Sequence, residues 1–236
     1  MPLDPASPAL NHLIAEVYLN YAALMSIAPA IGQEHPGGKL LYARGLDAHG
    51  TALAIAGNIA GAAVLAATAD QAACKQAMRD GAVDFVVTTL DEALRILKNQ
   101  VRKREPVSVC VCAPPESIER EMQERGVKPD LLPADDCAPP DSLAEFVALG
   151  ARRIEPQPLA AGKTFFTVEI PPALNRESAH IEEILAGSIA EGDFANRRWL
   201  RLSPRYLGPS ARRIRSVVCD NEAVALLRTK LAELNG

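Results

Sequence analysis

The chain has 236 residues, of which 48% are hydrophobic and 23% charged, and its formal net charge is −4. This length and composition can bury a sizeable core, so we expect one globular domain, with or without an appendage. No apolar run approaches the roughly 18 residues that a membrane-spanning helix needs, and the N-terminus lacks the basic start of a signal peptide. These features predict a soluble, cytoplasmic protein with no membrane partner.

The first predicted element is a helix within residues 1–37. Five side chains recur at three- and four-residue steps, the spacing of one helical face: Leu13, Val17, Tyr21, Leu24 and Ala28. Proline and glycine residues between positions 29 and 38 then end the pattern. We therefore assign residues 1–37 to an N-terminal helix that packs on the core.

Residues 38–150 alternate short apolar runs with helical stretches. The predicted strands are 40–43, 62–67, 85–88, 107–112 and 131–132, and the predicted helices between them are 51–60, 70–80, 90–104 and 115–125. The strands are continuously apolar, as expected when both faces of a sheet are covered. The sequence thus predicts an α/β, Rossmann-like open sheet, mostly parallel, with helices on both faces.

Residues 151–236 are predicted to form a small α+β extension with a basic tail. A helix at 141–149 closes the first domain, and beyond it we expect a strand at 163–170, a helix at 177–191, an extended basic segment and a helix at 221–234. Residues 197–236 hold 9 Lys and Arg against 3 Asp and Glu, whereas residues 1–196 hold 16 against 26. A basic segment of this kind can face acidic parts of its own chain, a second subunit or an anionic partner.

The connection between the first strand and its helix carries the clearest functional pattern. It runs Gly45–Leu46–Asp47–Ala48–His49–Gly50. A strand, a glycine turn and a helix form the site where a dinucleotide pyrophosphate binds helix N-terminal amides. Asp47 stands where the usual fingerprint has its middle glycine, and its charge opposes that of a phosphate. A tight turn without any ligand is the alternative interpretation.

The end of the second strand is the expected position of an acidic residue that binds the adenosine ribose. Thr68 stands there instead. Asp70 takes that role if the strand is two residues longer, and Thr68 together with Lys75 would suit a 2′-phosphate.

Residues 21–130 resemble the NAD-binding region of the urocanase (urocanate hydratase) family. The matching residues follow in order: Tyr21 on a helix, Gly38–Lys39, Gly45–Leu46, Leu90–Asp91–Glu92–Ala93–Leu94, the run from Lys103 to Ser108, Arg125–Gly126–Val127 and Pro129–Asp130. The resemblance implies a Rossmann fold and, in an active member, an NAD that adds to the imidazole of urocanate before water is added. It covers nearly half of the chain and ends before Glu145.

The resemblance also places the NAD-contacting positions of the family on this sequence. The Gly-Met-Gly of the family's turn falls on Ala48, His49 and Gly50, and its ribose-binding glutamate falls on Thr68. Its Asn-Ala pair falls on Pro114 and Pro115, and its Gln-Thr-Ser-Ala-His segment begins at Asp135 and runs to Pro139. Gly50 and Ala138 keep the family's residue, so most polar contacts to NAD differ.

Three functions follow as hypotheses. The first is a urocanase-like protein with a degenerate NAD site, non-catalytic or repurposed, that binds a nucleotide or small anion weakly or not at all and forms a homodimer. The second is an NAD-dependent lyase of the urocanase type. The third is a scaffold whose basic tail binds nucleic acid or an acidic protein, with nucleic acid disfavoured by the acidic overall charge.

Other residues that could carry chemistry have simpler interpretations. Glu177 and His180, with Glu183 one turn further, resemble half of a metal site, but one pair does not supply the three or four ligands that a metal needs. The five cysteines are scattered in the sequence and are expected to be buried thiols. Seven arginines flank Trp199 and Tyr206, a composition typical of an oligomer interface: Arg197, Arg198, Arg201, Arg205, Arg212, Arg213 and Arg215.

Overall fold

The structure is a computed structural model that describes residues 8–29, 32, 34–133 and 143–234. The chain divides into two compact units. One unit is Glu16–Gln157, and the other comprises Met1–Ala15 together with Pro158–Gly236. No helix among the described residues is long and apolar enough to cross a membrane.

The Glu16–Gln157 unit is built on a six-stranded sheet whose paired strands are all parallel. The strands are β1 (Leu40–Arg44), β2 (Ala63–Ala67), β3 (Phe85–Val87), β4 (Val107–Val111), β5 (Leu131–Pro133) and β6 (Arg152–Ile154). Their order across the sheet is β3-β4-β2-β1-β5-β6. The order reverses between β1 and β5, and ligands of open α/β sheets bind at the carboxyl ends of strands beside such a reversal.

Helices cover both faces of this sheet. They are α1 (Pro8–Ile27, shared with the other unit), α2 (Ala48–Ala60), α3 (Gln71–Arg79), α4 (Leu90–Lys103), α5 (Pro115–Glu124) and α6 (Ala144–Ala148). Gly57 of α2 approaches Leu41 and Val64 so closely that a Cβ would lie within 3 Å of both. On the opposite face, Leu40, Tyr42 and Leu65 pack with buried residues of α4 and α5. The predicted Rossmann-like fold is confirmed.

Polar caps define where the helices begin. Asp47 caps α2, Asp70 caps α3, and Thr89 forms a reciprocal capping box with Glu92 at the start of α4. Such caps satisfy backbone N–H groups that have no partner within the helix. At its other end α2 stops at Gly61, whose φ of 99° lies in the left-handed region that favours glycine.

Besides the first part of α1, the described residues of the other unit form a two-stranded antiparallel sheet and three α-helices. These elements are β7 (Lys163–Glu169), α7 (Ser178–Ala186), α8 (Phe194–Tyr206), β8 (Ile214–Asp220) and α9 (Asn221–Glu233). Apolar side chains of β7, β8 and the three helices form a core of their own. The predicted α+β extension is therefore present.

Three details differ from the predicted elements. The segment expected to be extended and basic forms helix α8 instead. Trp199 and Leu200 give this helix a buried apolar face, which is hard to recognise in the sequence among the surrounding arginines. The predicted helix at 177–191 covers only Ser178–Ala186, with a 3-10 turn, Pro172–Glu177, before it and Gly187 as its C-cap. The predicted domain boundary at residue 150 falls before β6, which pairs with β5.

Candidate functional site

The residues singled out in the sequence lie at the carboxyl edge of the parallel sheet. Gly45 follows β1, Thr68 follows β2 and Pro114 lies three residues beyond the end of β4. Because the three strands are parallel, these connections share one edge of the sheet. Asp135, the remaining predicted contact, lies outside the described residues, as do Asp136 to Pro139.

Asp47 caps the helix that a pyrophosphate would approach. Its Oδ1 accepts a hydrogen bond from the Gly50 backbone N–H at 2.8 Å, and its backbone is extended, as is usual at an N-cap. The positive end of the α2 dipole therefore already faces a carboxylate supplied by the chain itself. This cap uses a backbone donor of the first turn of α2, the part of the helix on which a phosphate would bind.

The two glycines of the turn have steric reasons to be glycine. Gly45 has φ of 85°, a left-handed conformation that other residues adopt with strain. A Cβ on Gly50 would lie 2.5 Å from the Gly45 carbonyl oxygen, so only glycine lets the helix start pack against the turn. The Gly45 N–H also donates to the Ala67 carbonyl at 2.9 Å, which ties the turn to β2. The glycine spacing is therefore explained by backbone packing alone.

Ala48 and His49 form the exposed first turn of α2. The His49 ring places Nδ1 3.0 Å from Glu16 Oε1 on α1, and half of its side chain is exposed. The imidazole is thus engaged with a carboxylate of α1.

Thr68 and Asp70 make a local network at the end of β2. The Asp70 N–H donates to Thr68 Oγ1 at 3.2 Å, and Asp70 Oδ1 accepts from the N–H groups of Ala72 and Ala73. The Asp70 carboxylate therefore stabilises the start of α3. The sequence offered two candidate contacts to the adenosine ribose. Thr68 follows the end of β2, and the Asp70 carboxylate serves as the cap of α3.

Two prolines begin α5 after β4. Pro114 is the N-cap and Pro115 the first residue of the helix, and no side chain caps this end. Proline has no backbone N–H, so the connection lacks two donors that other residues would supply. The family's Asn-Ala pair, which falls on these positions, would offer an amide side chain and two backbone donors instead.

A buried network that the sequence did not reveal connects β1 to α5. Tyr42 Oη donates to Glu119 Oε1 at 2.9 Å, and Arg44 Nε donates to the same oxygen at 2.8 Å. Arg44 also donates through Nη2 to Glu116 Oε1 at 2.5 Å. Glu119 is only 3% exposed, and its Oε2 has no hydrogen-bond partner among the described residues.

The network changes the acid–base properties of both β1 side chains. Burial, reinforced by the neighbouring Glu119 carboxylate, holds the pKa of Tyr42 well above its usual value of 10.0. For Arg44, burial opposes the charge, but the hydrogen bond and charge of Glu119 outweigh it and raise the pKa. Both groups therefore keep their protons at neutral pH, and the Arg44 cation is neutralised by carboxylates of the same chain.

Two of the cysteines, which are well separated in the sequence, lie next to each other in the structure. Cys74 on α3 and Cys110 on β4 place their sulfur atoms 3.5 Å apart, and both side chains are buried. Burial raises the pKa of Cys110 far above that of a free thiol, and it raises the pKa of Cys74 as well. Cys112 is half-buried, Cys219 is buried and Cys137 lies outside the described residues.

Nothing in the described part of the chain forms a metal centre. No group of three or more His, Cys, Asp or Glu side chains there is placed to hold a metal ion. His180 Nδ1 lies 3.4 Å from Glu183 Oε2 on the same helix, a contact between two exposed side chains.

Comparison with known families agrees with the resemblance found in the sequence. The family model of the urocanase Rossmann-like domain matches residues 19–158. This range holds the whole parallel sheet from β1 to β6 and covers more than half of the chain. The protein belongs to the urocanase family through this Rossmann-like domain.

Proposed function

We propose that this protein is a urocanase-type Rossmann protein whose NAD site is degenerate and which is non-catalytic or repurposed. The observation that carries the proposal is the hydrogen bond from the Gly50 N–H to Asp47 Oδ1 at 2.8 Å. The carboxylate lies at the helix end where the family fold would hold the cofactor's pyrophosphate. A bound pyrophosphate would have to displace it and then meet its negative charge.

The surroundings of the turn support the same proposal. Asp47, Glu116 and Glu119 supply three carboxylates near the carboxyl end of β1, against the one guanidinium of Arg44. Thr68 replaces the ribose-binding acid, and Pro114 and Pro115 lack backbone donors. Each difference removes a favourable contact to NAD or adds repulsion, so the residues present do not fit the cofactor in the family's manner.

The first test is whether the purified protein carries NAD. An enzyme of the urocanase type holds its cofactor tightly, so acid or heat denaturation of such an enzyme releases NAD in proportion to protein. We expect far less than one NAD per chain, measured by chromatography of the released nucleotides. Stoichiometric NAD would overturn the proposal, and loss of urocanate absorbance on incubation with the protein would establish the alternative, an NAD-dependent hydratase.

The second test asks whether Asp47 itself weakens anion binding. Asp47→Ser keeps a capping hydroxyl and removes the charge, so we expect NAD to bind about tenfold more tightly to this variant than to the wild type. Asp193→Ser is the matched control, because it makes the same change at the cap of α8, which belongs to the other unit. Titration calorimetry measures both, and equal affinities for the two variants would contradict the role given to Asp47.

The homodimer predicted from the arginine- and aromatic-rich segment remains a prediction. Trp199, one of its aromatic residues, is fully buried within its own unit and donates through Nε1 to Ser216 Oγ at 2.9 Å. A dimer interface would therefore have to use other residues of the segment. Light scattering coupled to size-exclusion chromatography measures the mass directly.

A further inference from the structure

One face of α8 is fixed to the core of the unit containing Pro158–Gly236. Trp199, Asn196 and Ser203 are each at most 1% exposed. The Asn196 side chain pairs with the outer edge of β8, because Nδ2 donates to the Val218 carbonyl at 2.6 Å and Oδ1 accepts from the Val218 N–H at 3.1 Å. These contacts fix the rotation of the helix, so its opposite face is presented in one orientation.

That opposite face carries an unusual stripe. Phe194, Arg197, Arg201 and Arg205 follow at intervals of three, four and four residues, and all four are exposed. At a rise of 1.5 Å per residue the stripe extends over about 16 Å of helix. Phe194 is 78% exposed, more than any other large hydrophobic side chain in the described residues. We call these four residues the arginine stripe.

Within the unit that carries it, the arginine stripe has no carboxylate partner. Arg197 donates to the Ile189 carbonyl and Arg205 lies over the Tyr206 ring, but no carboxylate among the described residues of this unit pairs with the stripe. Other arginines of the unit are paired: Arg213 with Glu169 and Arg215 with Glu182. Like charges one turn apart destabilise a helix, a cost that an anionic partner would offset.

The spacing favours a protein partner with carboxylates at helical intervals. The three arginines lie about 6 Å apart along the axis, the distance between side chains one turn apart on a second helix. Phe194 at the end of the stripe adds an apolar contact, and arginine and aromatic residues are enriched in protein interfaces.

Among its described α-helices, a second copy of this chain offers no acidic match to the stripe. No described α-helix of the chain carries three acidic residues at i, i+4 and i+8. We propose that the arginine stripe binds an acidic helical segment of another protein, with its carboxylates repeating once per turn and an apolar side chain placed against Phe194.

The test uses the full chain and a fluorescein-labelled helical peptide of about 14 residues, long enough to span the stripe. The peptide carries Glu at three successive one-turn positions and a Leu one turn beyond, and a second peptide has Gln in place of each Glu. Fluorescence anisotropy measures Kd at about 0.02 M and about 0.15 M salt, where charge screening differs strongly. We expect the Glu peptide to bind, more weakly at the higher salt, and the Gln peptide to bind at least about tenfold more weakly.

Variants then assign the binding to the stripe. Arg197→Gln combined with Arg201→Gln is expected to raise Kd about tenfold. Arg228→Gln combined with Lys230→Gln removes the same number of charges from exposed positions of α9 and is expected to change Kd less than about twofold. Trp199 fluorescence verifies that the variants are folded, since its indole is buried in this unit.

Each contrary result overturns the proposal. Failure of the Glu peptide to bind at low salt would do so, as would equal binding of the two peptides or equal effects of the stripe and α9 variants. Tighter binding of a labelled oligothymidylate than of the Glu peptide would assign the stripe to single-stranded nucleic acid instead. None of these outcomes depends on whether the protein binds NAD, because the stripe and the β1–α2 turn belong to different units.

Discussion

A carboxylate at the first turn of a helix can stabilise a fold and repel a ligand through the same atoms. Asp47 does the first through its hydrogen bond to the Gly50 N–H. We expect Asp47→Ala to lower the free energy of unfolding by about 1 kcal/mol, because an N–H at the helix start loses its acceptor. Asp47→Asn keeps an acceptor oxygen and is expected to retain most of the wild-type stability. Urea denaturation followed by far-UV circular dichroism measures both.

The control for this prediction is Asp80→Ala. Asp80 follows the end of α3 and its carboxylate accepts hydrogen bonds from the exposed Gln76 side chain, so its removal is expected to change stability by less than about 0.5 kcal/mol. If Asp47→Ala were no more destabilising than Asp80→Ala, the cap would not stabilise the protein. The glycine pattern alone did not indicate this role, although an Asp immediately before a helix is a recognised N-cap signal.

Tyr42 gives the protein a specific sensitivity to alkaline pH. Burial and the Glu119 carboxylate raise the pKa of its phenol in the folded state. A raised pKa means that the folded protein binds this proton more tightly, so the stabilisation is complete below the ordinary pKa near 10 and is lost as pH rises above it. We expect Tyr42→Phe to lose less stability than the wild type between about pH 9 and pH 11.

The measurement is the free energy of urea unfolding across that pH range, followed by far-UV circular dichroism. Trp199 fluorescence would not report on Tyr42, because the single tryptophan lies in the other unit. Tyr206→Phe, on α8, is the control for general effects of removing a phenol. Parallel pH profiles for the wild type and Tyr42→Phe would show that Tyr42 does not cause the alkaline loss.

At the scale of elements, Asn196 replaces a missing neighbour of β8. An edge strand leaves one row of backbone N–H and C=O groups without a strand to pair with. The Asn196 amide pairs with both groups of Val218, as a third strand would. We expect Asn196→Ala to lower the free energy of unfolding of this unit by about 2–3 kcal/mol, since two partly buried backbone groups lose partners.

Trp199 fluorescence during urea denaturation measures this change, because Trp199 lies on the same helix as Asn196. Asn175→Ala, at an exposed position of the 3-10 turn before α7, is the matched control in the same unit. A loss with Asn196→Ala no greater than with Asn175→Ala would mean that the pairing contributes little. Asn196→Asp tests the donor separately, as it keeps the acceptor for the Val218 N–H and removes the donor to its carbonyl.

Elements with strong apolar periodicity were predictable from the sequence, and elements defined by pairing were not. The strands β1, β2 and β4 are five residues long and mostly apolar, and both of their faces are buried, so their pattern is readily recognised. In contrast, β6 reads Arg-Arg-Ile and is a strand because it pairs with β5. For α8 the evidence was present in Asp193 as a cap and in the helical spacing of Leu200 and Leu207, but the arginines obscured it.

In the candidate site, too, local patterns were predictable from the sequence and contacts between distant residues were not. The glycines identified the turn in the sequence, because a left-handed or tightly packed backbone position admits few residues other than glycine. The bond from Arg44 to Glu119 joins residues 75 positions apart, and no local spacing reports such a contact. Sequence patterns could therefore locate the turn, but they could not show that β1 and α5 are joined by a buried ionic network beside it.

At the scale of the whole molecule, the carboxyl edge of the sheet is where a nucleotide would bind in a fold of this kind. The parallel strands bring the Asp47 cap, the Thr68–Asp70 network and the prolines of α5 to one edge. A ligand at 100 times its Kd stabilises a folded protein by about 2.7 kcal/mol, which raises Tm by about 9 °C for a unit of this size. NAD bound in the family's manner would therefore be visible in thermal denaturation.

We expect about 1 mM NAD to shift the Tm of the Glu16–Gln157 unit by less than about 1 °C, because the chain's own carboxylate occupies the end of α2. The same concentration is expected to raise the Tm of Asp47→Ser measurably, and to leave the Tm of Asp193→Ser, changed at the cap of α8 in the other unit, as it is without NAD. Differential scanning calorimetry suits this measurement, since it records the transition of the unit that contains the turn, whereas Trp199 fluorescence follows the other unit. A shift of several degrees in the wild type would show that NAD binds despite Asp47, and the protein would then have to be regarded as a nucleotide-binding member of its family.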